Sequence, residues 1–101
     1  MELTTGSRWK STVSDTEVVV VRPPDTEKAL GCGGAEMVPI DAAVERGTPD
    51  PALADGTLLG KRYTDEASGV ELLCTKGGAG TLTLDGEPLT VKGAKPLPSS
   101  D

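Results

Sequence analysis

The side chains able to do chemistry are few. The chain has no histidine, which removes the commonest general base, the commonest metal ligand and every Ser-His or Cys-His catalytic pair. Four carboxylate pairs stand out: Asp15 with Glu17, Asp25 with Glu27, Asp65 with Glu66, and Asp85 with Glu87. Paired carboxylates can share acid and base work or hold a hard cation. All four fall in turn-forming contexts, where such residues bond to their own backbone or to water. None has the spacing of a calcium loop. The segment Gly31-Cys32-Gly33-Gly34 lacks the spacing of a dinucleotide fingerprint, and no phosphate loop ending in Lys-Ser or Lys-Thr occurs. No cofactor is expected.

Two thiols remain. Glycines flank Cys32 and leave it accessible, and a row of backbone amides there would lower its pKa. No base or cation stands beside it in sequence, so a remnant or a packed small residue is the expected reading. Cys74 alternates with Val70 and Leu72 and is expected in the core. One pair of cysteines is not a disulfide framework, and two free thiols are expected. Met1-Glu2-Leu3-Thr4-Thr5 lacks the basic-then-apolar layout of a secretory signal, and no run of about 18 apolar residues exists. The expectation is a cytoplasmic protein without a membrane partner. A net charge of −6 with scattered basic residues argues against a nucleic-acid partner, which needs a dense basic stripe.

The elements that must position these groups are short. At 101 residues the chain makes one domain, and 13 glycines and 8 prolines punctuate it too often for long helices. With no Phe, one Trp and one Tyr, the core must be aliphatic. A strand is predicted from about Arg8 to Arg22, centred on the β-branched run Val18-Val19-Val20-Val21 and closed by Pro23-Pro24. Residues 39–56 read as a connector with one or two helical turns, Asp41 capping Ala42 to Arg46 and Gly47 ending them. Residues 57–92 read as an antiparallel meander: Leu58 to Thr64, Val70 to Thr75, Thr81 to Leu84 and Pro88 to Lys92, with a hairpin turn at Asp85-Gly86. Alternation puts Val70, Leu72, Cys74, Leu82, Leu84, Leu89 and Val91 on the inner face, and Leu73 outside. Residues 93–101 read as an extended tail.

In the N-terminal third, Trp9-Lys10 precedes Ser11-Thr12-Val13-Ser14, Glu17 to Val21 follows as a strand, and Leu30-Gly31-Cys32-Gly33-Gly34-Ala35-Glu36-Met37 comes after it. This order resembles a desulforedoxin or rubredoxin-type metal knuckle. There an aromatic residue, a Cys-x-x-Cys and a short hairpin strand lead to a Leu, a second cysteine pair, a Gly and a Met. Ser11 and Ser14 occupy the first pair and Gly33 one position of the second, which leaves Cys32. The resemblance implies a knuckle hairpin over residues 1–38. A tetrahedral iron or zinc site takes four soft ligands, so the chain by itself is expected to hold neither metal. Cys32, and after it Cys74, would be the ligands if one were bound.

The reading is an all-β single domain, a knuckle-like hairpin pairing with or packing on a C-terminal meander. Its expected role is a non-catalytic binding or accessory subunit, self-associating or joined to a protein partner. Trp9 and Tyr63 are too few to stack bases and are each expected at a core edge rather than as a ligand contact; together with Leu73, Pro96 and Pro98 they are the candidate contact surface. The alternative is a small redox or metal protein using Cys32, with cysteines shared between chains. A third reading is an enzyme working through turn carboxylates.

Overall fold

A computed structural model of the chain describes residues 3–26 and 28–91, which form ten short strands and one 3₁₀ turn. The fold is all-β with two antiparallel sheets, as the turn-rich, β-branched sequence predicts. β1 (Arg8–Lys10) and β2 (Glu17–Arg22) form a hairpin rather than the single strand expected over this stretch. The reversal has a local cause. Ser11 Oγ accepts the amides of Val13 and Ser14 at 3.1 and 3.0 Å, a side-chain turn that competes with continued strand. β3 (Leu30–Cys32) and β4 (Ala35–Glu36) meet at Gly33 and Gly34, whose φ values of 67° and 90° need glycine. β5 (Val38–Pro39) follows.

The helical turn expected over 42–46 is absent. Those residues are exposed or half-buried and offer no apolar stripe to pack. The 3₁₀ turn falls instead at Pro51–Leu53, where the Asp50 carboxylate accepts the amide of Ala52 at 3.0 Å and Pro51 pre-sets the first turn.

β6 (Arg62–Asp65) and β7 (Val70–Lys76) make a second hairpin. β8 (Leu82–Leu84), β9 (Glu87–Pro88) and β10 (Thr90–Val91) are the last strands of the described residues. Asp85 and Gly86, at φ 51° and 85°, supply the two left-handed positions of the tight turn predicted there.

The larger sheet has the order β10-β6-β7-β2-β1-β5, and the smaller β4-β3-β8-β9. The expected continuous meander is therefore divided between sheets. β6 and β7 extend the N-terminal hairpin, β8 and β9 join β3, and β10 returns to β6. The crossing from β7 to β8 runs hard against the N-terminal hairpin. A Cβ on Gly78 would stand 2.6 Å from the Thr16 amide nitrogen, so glycine is what lets the chain pass. The strand expected over Pro88 to Lys92 breaks in two at Leu89, whose amide bonds the Leu82 carbonyl at 2.9 Å. Lys92 and the tail 93–101 lie outside the described residues.

Both sheets turn one face into a single core. Val18 and Val20 of β2 and Val70, Leu72 and Cys74 of β7 come from the larger sheet, and Leu30, Cys32, Leu82 and Leu84 from the smaller. Leu89 and Val91 are only partly buried against them. Each fully buried Val or Leu is worth about 1.5 to 3 kcal/mol relative to exposure. Among the described residues no helix is long and apolar enough to cross a membrane.

Candidate functional site

The residues singled out by their chemistry are mostly turned to structural use. Asp85 is tied to Ala29 twice: its carboxylate accepts the Ala29 amide at 2.7 Å and its own amide donates to the Ala29 carbonyl at 2.8 Å. These bonds fasten the β8–β9 turn to the entry of β3. Asp15 accepts from the Arg46 guanidinium at 2.8 Å, which holds its carboxyl below the usual carboxylate range and anchors the otherwise irregular connector. Asp65 contributes through its carbonyl, accepting the Gly69 amide at 2.8 Å to close the β6–β7 turn. Asp25 donates its amide to Ser68 at 2.8 Å. Glu27 lies outside the described residues. Among the described residues no group of three or more His, Cys, Asp or Glu is placed to hold a metal ion.

The structure buries both thiols. Cys32, expected to be accessible among its glycines, has no exposed surface. Gly80 lies directly over it, where an added Cβ would be 2.7 Å from Sγ. The fold does bring one serine of the Ser-x-x-Ser loop to it: Ser14 Oγ lies 3.7 Å from Cys32 Sγ and 3.2 Å from Thr16 Oγ1. Cys74 is in the core, as its alternation predicts, and its Sγ donates to the Lys76 carbonyl at 3.2 Å. Burial pushes the Cys74 thiol up, outweighing the Lys76 backbone, which acts to lower it, and the nearby Cys32 thiol adds to the rise. Both cysteines are free.

Two residues of the candidate contact surface are buried. Trp9 and Tyr63, 5% and 6% exposed, lie at the core's edge as expected and leave little side-chain area for a partner. Each is an amphipathic group at the core's edge with its polar end bonded. Trp9 Nε1 donates to Ser7 Oγ at 3.0 Å, and the Tyr63 hydroxyl accepts the Leu58 amide at 2.9 Å. Leu73 is half-buried on the outer face, with Val19 and Arg62 opposite it on the neighbouring strands. Pro96 and Pro98 lie outside the described residues.

The largest exposed apolar groups among the described residues are ones the sequence reading passed over. Leu58 and Leu59 are 61% and 68% exposed in the turn before β6, where a strand was expected to have begun. This turn is held firmly. The Leu58 amide reaches Tyr63, the Gly60 amide donates to the Cys74 carbonyl at 2.9 Å, and the Lys61 amide donates to Leu58 at 3.2 Å. A signal was present: two adjacent leucines cannot both face the core of a period-2 strand.

An open cleft of about 350 Å³ lies beside β3 and β4, lined by Leu30, Gly31, Gly34, Glu36, Leu53 and Thr83 among others. Among the described residues, Glu36 is the one ionisable side chain in its wall. A scan of protein-family models, a search of curated proteins and a search of solved structures each found no match.

Proposed function

We propose that the chain is a non-catalytic binding module that works as an accessory subunit of a protein assembly. The observation that carries this reading is the Leu58-Leu59 turn. Two large aliphatic side chains stand in water on a backbone fixed by three hydrogen bonds. A partner that covers them gains apolar burial without ordering the loop, which lowers the entropic cost of association. The turn acids give the enzyme reading little support, because Asp15 and Asp85 already hold Arg46 and Ala29. The redox or metal-linking alternative needs Cys32 to reach solvent or a second chain, and its thiol is fully covered. The knuckle resemblance enters this proposal as an emptied scaffold, in which Ser14 and Cys32 would stand at two of the former ligand positions. Two free buried thiols suit a reducing compartment such as the cytoplasm.

The test pairs sedimentation velocity at micromolar concentration with affinity capture from native extract. Wild-type protein and a Leu58→Ser, Leu59→Ser variant of unchanged melting temperature are used side by side. The expected result is self-association or a stoichiometric partner with the wild type, lost in the variant. A monomer that captures nothing, or a complex indifferent to both leucines, overturns the proposal.

A further inference from the structure

The larger sheet has a second face. Register aligns Arg8, Val19, Leu73 and Arg62 in one row across β1, β2, β7 and β6. Their chain neighbours Trp9, Val18, Leu72 and Tyr63 are buried, so strand alternation turns this row outward. Arg8 and Arg62 are exposed, with Val19 and Leu73 half-buried between them. In the rows on either side, Lys10 stands opposite Glu17 and Arg22 opposite Glu71. Lys76 lies opposite Glu17 on the other side, so among the described residues these rows carry five cations and two carboxylates, of which Glu71 is buried, a net positive surface on a chain whose net charge is −6. Arg62 is paired with Glu71 at 3.3 Å. Arg8 and Lys10 have no carboxylate within ion-pair distance among the described residues.

We propose that this outer face docks an acidic, aliphatic segment of a partner protein. The inference rests on the reading of the chain as a binding module and adds the chemistry of what is bound. Charge complementarity selects the occupant. Arg8 and Arg62 lie three strand spacings apart, about 14 Å, on either side of the apolar Val19–Leu73 centre. A segment with an aliphatic side chain at that centre and carboxylates to each side satisfies all four residues at once. Nucleic acid fits less well: no aromatic side chain lies on this face to stack a base, and Glu17 and Glu71 stand among the cations, where a phosphate run would pass.

The test is fluorescence anisotropy with three labelled probes: a nine-residue peptide with a Leu-Val centre flanked by Glu and Asp, the same peptide with Lys at the acidic positions, and a 20-nucleotide single strand. The acidic peptide is expected to bind alone of the three, at least tenfold more tightly at 50 mM than at 300 mM salt. Arg8→Glu should weaken it at least tenfold. Leu73→Ser, a second variant checked by its melting curve, should weaken it without changing the salt dependence. Absence of binding at millimolar peptide, equal binding of the lysine peptide or the oligonucleotide, or indifference to Arg8→Glu overturns the proposal. The Leu58→Ser, Leu59→Ser variant separates the two readings. If it loses the captured partner while Arg8→Glu keeps it, the binding module stands and this face is not its contact; if neither variant loses the partner, both readings fall.

Discussion

Replacing Leu72 by alanine tests the register of the larger sheet at its centre. Leu72 has no exposed surface and lies between Val20 of β2 and Tyr63 of β6, both buried and both on strands hydrogen-bonded to its own. Backbone paired on both sides limits collapse around the lost atoms. The transfer loss is then joined by a residual cavity, which places the cost in the upper part of the range for buried leucines, about 3 to 5 kcal/mol. In a domain of this size each kcal/mol lowers the melting temperature by about 4 to 8 °C, so a fall of at least about 12 °C is expected. Leu73, half-buried on the opposite face, should cost about 1 kcal/mol or less as alanine. The assay is equilibrium urea unfolding followed by the fluorescence of Trp9, the single tryptophan and a buried one. The midpoint should fall while the slope is unchanged. If Leu73→Ala costs as much as Leu72→Ala, the strand is slipped by one residue, and the outward row from Arg8 to Arg62 is lost with it.

Gly78→Ala should destabilise by about 1 to 3 kcal/mol, because its Cβ would meet the backbone nitrogens of Thr16 and Asp15 at 2.6 and 2.9 Å. An unchanged thermal melt would show that the β7–β8 crossing does not press on the hairpin. Neither Cys32 nor Cys74 should react with a disulfide reagent at neutral pH faster than the chain opens, and prompt labelling of the native protein would contradict the buried placement of both. Burial raises the Cys74 thiol pKa in the folded chain, so the unfolded chain loses this proton first as pH rises. The stability it contributes is therefore whole below the ordinary thiol value, about 8.5, and is lost as pH climbs through the folded value. Cys74→Ala should flatten the alkaline limb of the stability curve, and an identical limb would refute this.

Local physics wrote itself into the sequence, and partnership did not. Val70, Leu72 and Cys74 alternate with Glu71 and Leu73, and that pattern alone identifies the inner side of β7. Asp85-Gly86 announces its turn because few residues tolerate two successive positive φ angles. The split between sheets was hidden, since Leu82 and Leu84 alternate in the same way whether they pair with β7 or with β3. Their partners at Leu30 and Cys32 lie some 50 residues away, beyond the reach of any local pattern. Trp9 and Tyr63 read both as core edges and as contributors to a contact surface, because an aromatic ring with a polar end suits either place. Here Ser7 and Leu58 satisfy those polar ends and leave the rings inside. Leu58 and Leu59 were read as the start of a strand that begins only at Arg62, so the most exposed apolar pair in the described chain went unremarked.

The pairing of β2 with β7 also governs what happens while the chain is being made. β2 is complete at Arg22 and its partner begins at Val70, so about 50 residues must be synthesised before that edge is covered. At roughly 5 to 20 residues per second, the run Val18-Val19-Val20-Val21 waits for several seconds with one side closed by β1 and the other open. A β-branched, uncharged stretch left in that state is a template for pairing with other nascent chains. Glu17 and Arg22 bracket the run, placing a charge at each end as gatekeepers during that wait.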